Sequence, residues 1–362
     1  MNNTEAYNRI SGRLRCSAFL LACLVLAAGV LSACTGKNGG PGGEPSVISV
    51  GSSTAPAAES SPSPAITAEP TPEPTPEPTP EPYFTWSVSA EEADTGRLVL
   101  VNYDHPYEHT DEIAEQVIPL HGNTVARLLL TRNDHALLPQ VVSMLNMFAD
   151  GFYEATGGDR LLVTSAYRTL EYQQRVYDDY VSTYGEEMAR IYVADPGNSE
   201  HHTGLAVDLS TMSRDGERIP LIEHAHFDWV TSHCADYGFI LRYPVGSEDI
   251  THVAYEPWHF RYVGIAAAKA CNELGMLYEE FIEHIKTYTV DSGVLYLSFD
   301  ENGGVQLDVA YFGSLPETGV IFYYVPADTS GRTEFPVPLP PCGIYVSADN
   351  DGGFIIEVGL GE

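Results

Sequence analysis

The decapeptide Ser199-Glu200-His201-His202-Thr203-Gly204-Leu205-Ala206-Val207-Asp208 constrains this chain more than any other stretch. Leu205, Val207 and Leu209 alternate with Ala206, Asp208 and Ser210, the period-two pattern of a strand. Gly204 permits a sharp bend just before that strand begins. An imidazole from the loop (His201) and a carboxylate from the strand (Asp208) can therefore converge on one point. A third ligand is available in Tyr255-Glu256-Pro257-Trp258-His259-Phe260. A mononuclear catalytic zinc takes three protein ligands, leaves one position open and works with a carboxylate that accepts a proton from the attacking water. His201, Asp208 and His259 would be the ligands and Glu256 the carboxylate. Residues three apart share a face in a helix but not in a strand, and Pro257 argues against a helix interior. The reading therefore requires a local bend at Pro257.

The decapeptide fits the pattern Ser-x-His-x-x-Gly-x-Ala-x-Asp, and Glu256-Pro257-Trp258-His259 fits Glu-x-x-His. In both, the chain resembles the VanY-like D-alanyl-D-alanine carboxypeptidases, a family that also includes L,D-carboxypeptidases trimming peptidoglycan stem peptides. Thr164-Ser165-Ala166-Tyr167-Arg168-Thr169 and Gly238-Phe239-Ile240-Leu241-Arg242-Tyr243-Pro244 are similar to two further blocks, so the resemblance covers roughly residues 97 to 284. It implies an α+β fold shared with the signalling domain of hedgehog proteins, and one zinc ion on His201, Asp208 and His259. It implies Glu256 as general base and Arg168 as the stabiliser of the oxyanion. Gln173, Ser199 and Tyr243 resemble residues that hold the peptide and its terminal carboxylate, while Trp258 would wall the pocket or pack in the core. The implied reaction is removal of the terminal D-alanine from stem peptides. The alternatives are L,D-carboxypeptidase action on tetrapeptides and a non-catalytic zinc-containing wall-binding module. His202 is outside the ligand pattern and would shape the loop. His252 departs from the pattern, which has glycine after Asp249-Ile250-Thr251. Glu223-His224-Ala225-His226 with His233 reads as a capped surface helix rather than a second metal site.

The N-terminal stretch carries an address. Arg9, Arg13 and Arg15 precede an apolar run, Ala18 to Leu31, which falls short of the roughly 20 residues of a membrane span and suits a signal peptide. Leu31-Ser32-Ala33-Cys34 resembles a bacterial lipobox, so residues 1–33 are expected to be removed and Cys34 lipidated, tethering the protein outside the plasma membrane. Residues 34–83 read as a disordered linker rich in Pro, Glu and Thr. Within it, residues 69–82 repeat Glu-Pro-Thr-Pro, and polyproline II at about 3.1 Å per residue extends that repeat to roughly 43 Å. The chain has 18 Lys and Arg against 50 Asp and Glu, a formal net charge of −32. That balance disfavours nucleic acid and adsorption to anionic lipid. Beyond the lipobox remain Cys234, Cys271 and Cys342, an odd number that implies no disulfide framework. Cys234 and Cys271 read as buried thiols, with a bridge between them as the alternative.

A length of 362 residues suggests about two domains. Residues 84–287 are expected to form the peptidase domain. Leu98 to Val101 reads as a strand, and Ala136 to Ala155 as a helix whose apolar stripe includes Met147 and which ends at Gly157-Gly158. A short strand over Leu161 to Thr164 delivers Tyr167 and Arg168. Helices follow over Leu170 to Tyr184, with its tyrosines inward, residues 186 to 194, His226 to Tyr237, Ile265 to Leu274 and Tyr278 to Ile285. Strands near 239–243 and 258–263 flank a loop. Helices and short strands without a βαβ rhythm indicate α+β. Residues 288–362 read as a small all-β module, opened by a hairpin over 294–311 around Asp300-Glu301-Asn302-Gly303-Gly304.

Overall fold

The computed structural model describes residues 83–89 and 96–361. The signal peptide, Cys34 and all but the last residue of the linker lie outside those residues. The described chain runs β1 (Tyr83–Val88), α1 (Thr110–Gln116), β2 (Ile118–Pro119), β3 (Leu128–Leu130), β4 (Ala136–Leu137), α2 (Pro139–Thr156), β5 (Arg160–Ser165), α3 (Leu170–Tyr184) and α4 (Glu186–Tyr192). A 3₁₀ turn (Glu200–Thr203) then leads into β6 (Ala206–Met212) and β7 (Arg218–Ile219), followed by α5 (Phe227–His233), β8 (Phe239–Leu241), α6 (Glu248–Thr251), β9 (His259–Tyr262), α7 (Ile265–Leu274) and α8 (Tyr278–Lys286). The last part is all β: β10 (Val294–Phe299), β11 (Val305–Ala310), β12 (Gly319–Pro326), β13 (Thr333–Pro338), β14 (Pro341–Ala348) and β15 (Gly353–Leu360). The chain is α+β.

The sheet that matters for function has the order β3-β5-β6-β9-β8, with β7 on the end of β6. β3 pairs with β5 in parallel and the other pairs are antiparallel. β6 lies in the middle and is buried on both faces. α2 covers one face with Val141, Val142, Leu145, Phe148, Ala149 and Phe152. Its ends follow local chemistry: Pro139 needs no N–H partner in the first turn, and Gly157 takes the left-handed conformation (φ 69°) that closes the last. Met147, expected in its apolar stripe, instead points to solvent, 56% exposed. α3 spans the expected residues and is capped by Thr169, whose side chain accepts from the Tyr172 N–H. Its tyrosines are half-buried; Gln173 is the buried residue of that helix.

The C-terminal sheet has the order β11-β10-β12-β15-β14, wholly antiparallel. Its inner face shares a core with α7 and α8, in which Ala267, Phe281 and Ile282 meet Leu295, Leu297, Phe322 and Ile355. β1 pairs with β13 along its whole length, from Tyr83 opposite Pro338 to Val88 opposite Thr333. The first strand of the expected peptidase domain thus belongs with the C-terminal module. Leu98 to Val101 is buried but is not a strand. Its backbone bonds to loops and side chains: Leu98 N–H donates to Ser347 Oγ (2.9 Å), Leu100 N–H to Asp349 O (3.2 Å), and Val99 O accepts from Arg261 (2.8 Å). Apolar character reported burial there, and the ladder was replaced by these partners. Cys234 and Cys271 are buried free thiols and Cys342 an exposed one.

Candidate metal centre and active site

Three pieces of backbone converge. β6 and β9 place Asp208 directly opposite His259, and cross-strand partners on one face have Cβ atoms about 4.5–5.5 Å apart. The 3₁₀ turn brings His201 over the same spot. Gly204 closes that turn at φ 66°, and a Cβ there would lie 2.9 Å from Val117 Cγ1, so both conformation and space favour glycine. The turn is tied to the Arg168 loop by Arg168 N–H donating to His201 O (3.1 Å).

His201 Nε2 lies 3.3 Å and His259 Nδ1 3.2 Å from Asp208 Oδ1, and all three side chains are buried. The opposite ring nitrogens are committed. His201 Nδ1 donates to Ala166 O (2.8 Å), and His259 Nε2 to Glu200 Oε2 (3.1 Å). These assignments follow from the hydrogen-bond network. They aim His201 Nε2 and His259 Nδ1 at Asp208 Oδ1, a buried atom with no well-aligned hydrogen bond of its own, so that a cation held between them would meet a lone pair of each ring. Two imidazole nitrogens and a carboxylate oxygen that face one another in this way require a cation. Among the described residues this is the one His/Cys/Asp/Glu group placed to hold a metal, with ligand atoms within 4.8 Å of one another. Burial, followed by Arg168, pushes His201 down to about 4, which keeps it a neutral donor. Burial also pulls on His259, but Asp208 and Glu200 more than reverse it and lift it to about 9, so this point attracts positive charge strongly. Burial opposes the charge of Asp208, yet His201, His259 and Arg168 hold it well below the usual carboxylate range.

The bend required at Pro257 is present. His259 N–H donates to Glu256 O (3.1 Å), closing a turn with Pro257 at its second position. It brings Glu256 Oε2 to 3.6 Å from His259 Nδ1. Arg168 reaches the centre from the other side: its Nη2 donates to Asp208 Oδ2 (3.0 Å), Nε to Ser165 Oγ (2.9 Å) and Nη1 to Gln173 Oε1 (3.2 Å). Gln173 is fully buried and also donates to Ala194 O (2.7 Å), so its amide steers Arg168. Tyr243 is buried with its ring 4.9 Å from that of His259. Ser199 is buried at the start of the 3₁₀ turn. Trp258 is half-buried beside His259, and its carbonyl accepts from Leu209 N–H (2.9 Å). His202 donates through Nδ1 to Arg168 O (2.7 Å) and accepts at Nε2 from Gly197 N–H (3.1 Å), which shapes the loop. His252 is exposed at the end of α6 with φ 56°, a left-handed conformation that histidine tolerates better than most residues and glycine adopts freely. His224 lies apart from the centre, its Nε2 paired with Asp159 Oδ2 at 3.0 Å.

Glu200 was given no part by sequence reasoning. It is buried among His259, Arg242 and Arg261, all three of which donate to its carboxylate. Its partners lie 42 to 61 residues away, so local spacing carried no sign of them.

A family model described as VanY, D-alanyl-D-alanine carboxypeptidase, matches residues 136–265. YodJ of Bacillus subtilis (strain 168), provisionally named a carboxypeptidase, is 44% identical over 130 residues, which are 36% of this chain and 48% of that protein. The vancomycin-resistance D,D-dipeptidase VanXYg, solved with a D-Ala-D-Ala phosphinate analogue, is similar at TM-score 0.62 and 29% identity, covering 76% of this chain and 99% of that one. The D,D-pentapeptidase VanY of a VanB-type resistance cassette, solved with Zn(II), is 31% identical over 51% of this chain and 98% of its own, at TM-score 0.42. The chain spans between about half and three fifths of the length of the first three curated relatives it matches.

Proposed function

We propose, from the premise that this chain belongs to the VanY-like D-alanyl-D-alanine carboxypeptidase family, that it is a zinc carboxypeptidase removing the C-terminal D-alanine from peptidoglycan stem peptides. The observation that carries the reading is the convergence of His201 Nε2, His259 Nδ1 and Asp208 Oδ1, with Glu256 3.6 Å from His259 and Arg168 on Asp208. The enterococcal relatives named D-alanyl-D-alanine carboxypeptidases support the substrate class.

Held by His201, Asp208 and His259, zinc would supply Lewis acidity toward the scissile carbonyl and the attacking water. Glu256 accepts the proton of that water and passes it to the amine of the departing D-alanine. Arg168 has five N–H groups in a rigid fork, three of them in the bonds described above. From that position it offers positive charge to the carbonyl oxygen as negative charge grows there. Tyr243, with its ring 4.9 Å from that of His259, would orient the stem peptide, together with Ser199 and Trp258.

Mass spectrometry of zinc-loaded protein incubated with defined stems tests this. Loss of one alanine from a pentapeptide is expected; cleavage confined to the tetrapeptide would make it an L,D-carboxypeptidase, and inertness toward both a binding module. The same proposal places the protein outside the plasma membrane, anchored through Cys34 and spaced from it by residues 34–83. Its support is the apolar run before Leu31-Ser32-Ala33-Cys34. Labelled fatty acid should enter the wild type and not Cys34→Ala; equal labelling removes the anchor.

A further inference from the structure

Glu200 sits at an unspecified position of the Ser-x-His motif, and the catalytic reading leaves it without a task. It is 2% exposed, and its two oxygens have separate partners. Oε1 accepts from Arg242 Nε (2.8 Å) and from Arg261 Nη1 (2.9 Å). Oε2 accepts from His259 Nε2 (3.1 Å). Both arginines are fully buried and anchored elsewhere. Arg242 also grips Glu279 through Nη1 (2.9 Å) and Nη2 (2.5 Å), and Arg261 donates from Nη2 to the carbonyls of Arg97 (3.3 Å) and Val99 (2.8 Å). The carboxylate of Glu200 is therefore held in one orientation, with one side on the arginines and the other on His259. An imidazole that gives its Nε2 proton to a carboxylate keeps its Nδ1 lone pair, and Nδ1 is the atom that faces Asp208 Oδ1.

We propose that Glu200 is the positioning residue for His259: it selects the ring tautomer that presents Nδ1 to the metal, and Arg242 with Arg261 hold its carboxylate in the orientation that does so. The inference rests on the metal reading above and adds to it the group that makes His259 a competent ligand.

Glutamine at 200 nearly preserves the shape and separates this role from packing. Arginines only donate, so the amide oxygen must take the place of Oε1 and the amide nitrogen must face His259 Nε2. A donor there requires Nε2 to accept, and the single proton of the neutral ring moves to Nδ1, where it blocks the metal. A group that merely filled space would tolerate the exchange.

Two measurements on the full chain decide it. In the zinc-loaded wild type labelled with ¹⁵N-histidine, NMR should show His259 metal-bound at Nδ1 and protonated at Nε2, with His201 the reverse. A His259 bound through Nε2, or lacking the Nε2 proton, overturns the proposal. In Glu200→Gln, chelator competition should show zinc affinity reduced about 10–100-fold, with the spectrum of the cobalt-substituted protein altered. Unchanged affinity in a folded Glu200→Gln protein also overturns it, and should that variant fail to fold, the wild-type spectrum decides. Zinc binding with the expected tautomers but no stem hydrolysis would sink the functional reading and leave this one standing. A wild type that holds no zinc overturns both.

Discussion

Two buried glutamates, one under the metal centre and one in the C-terminal sheet, face arginine with opposite results. Glu200 receives two guanidinium groups and an imidazole N–H. Burial works against its charge, but Arg242, Arg261 and His259 outweigh it and hold the carboxyl far below its ordinary range. Glu357, on β15, meets one guanidinium, Arg97 Nη2 at 2.5 Å. Burial prevails there over the single arginine and pushes the carboxyl up. The number of cations sharing the cavity thus decides whether a buried carboxylate is a fixed charge or one that takes up a proton. A fixed charge stands beside a metal ligand. The titrating one fastens the C-terminal sheet to the segment that begins at Gly96, where no chemistry depends on it.

A third carboxylate tests whether reactivity follows this division, and it should give the largest effect. Glu256 is buried, yet it stands beside the metal centre at the turn rather than inside the arginine cluster. Glu256→Ala should leave zinc stoichiometry intact and lower kcat on a stem pentapeptide by about 10²–10⁴-fold, the usual contribution of a general acid–base group. Turnover close to wild type would remove Glu256 from that role.

The next effect is on stability and compares the two clusters directly. Arg261→Met leaves Glu200 charged in a buried site with one guanidinium fewer, and should destabilise the fold by about 3–5 kcal/mol near neutral pH. Arg97→Met should cost less, because Glu357 can neutralise itself by binding a proton. Urea unfolding of both variants measures the difference. Equal losses would mean that the count of neighbouring cations does not separate the two sites.

These clusters also mark where sequence stops being informative. Helices α3 and α7 occupy the expected residues because their signals are local: Thr169 caps the first, and Gly275, left-handed at φ 63°, ends the second. The metal ligands were legible for a similar reason. Alternation placed Asp208 on a strand, and a chain reversal at Pro257 was required by the Glu256–His259 spacing. Pairing across the chain was not legible. β1 meets β13 about 250 residues later, and nothing in Tyr83–Val88 names that partner. Leu98–Val101 had the composition of a strand, but its hydrogen bonds went to Ser347, Asp349 and Arg261. Glu200 shows the same limit within the motif itself. Its neighbours His201 and Asp208 were recognisable by type and spacing, whereas its own role depends on three side chains that only the folded sheet assembles.

The smallest and most discriminating effect is the pH dependence of Glu357→Gln. The folded wild type holds the Glu357 proton more tightly than the unfolded chain, in which a glutamate titrates near pH 4.3. Between that value and the folded pKa the native state therefore binds more protons, and its stability falls as pH rises. Glutamine has no proton to lose and still offers Arg97 an oxygen, so the variant lacks this slope. Relative to Glu357→Gln, the wild type should be at its best below about pH 4 and lose ground as pH rises through the folded pKa, after which the gap stays constant. Paired urea titrations from acid to neutral pH measure it. A gap that moves in favour of the wild type with rising pH would mean that Arg97 alone outweighs burial, and Glu357 would then be as fixed a charge as Glu200.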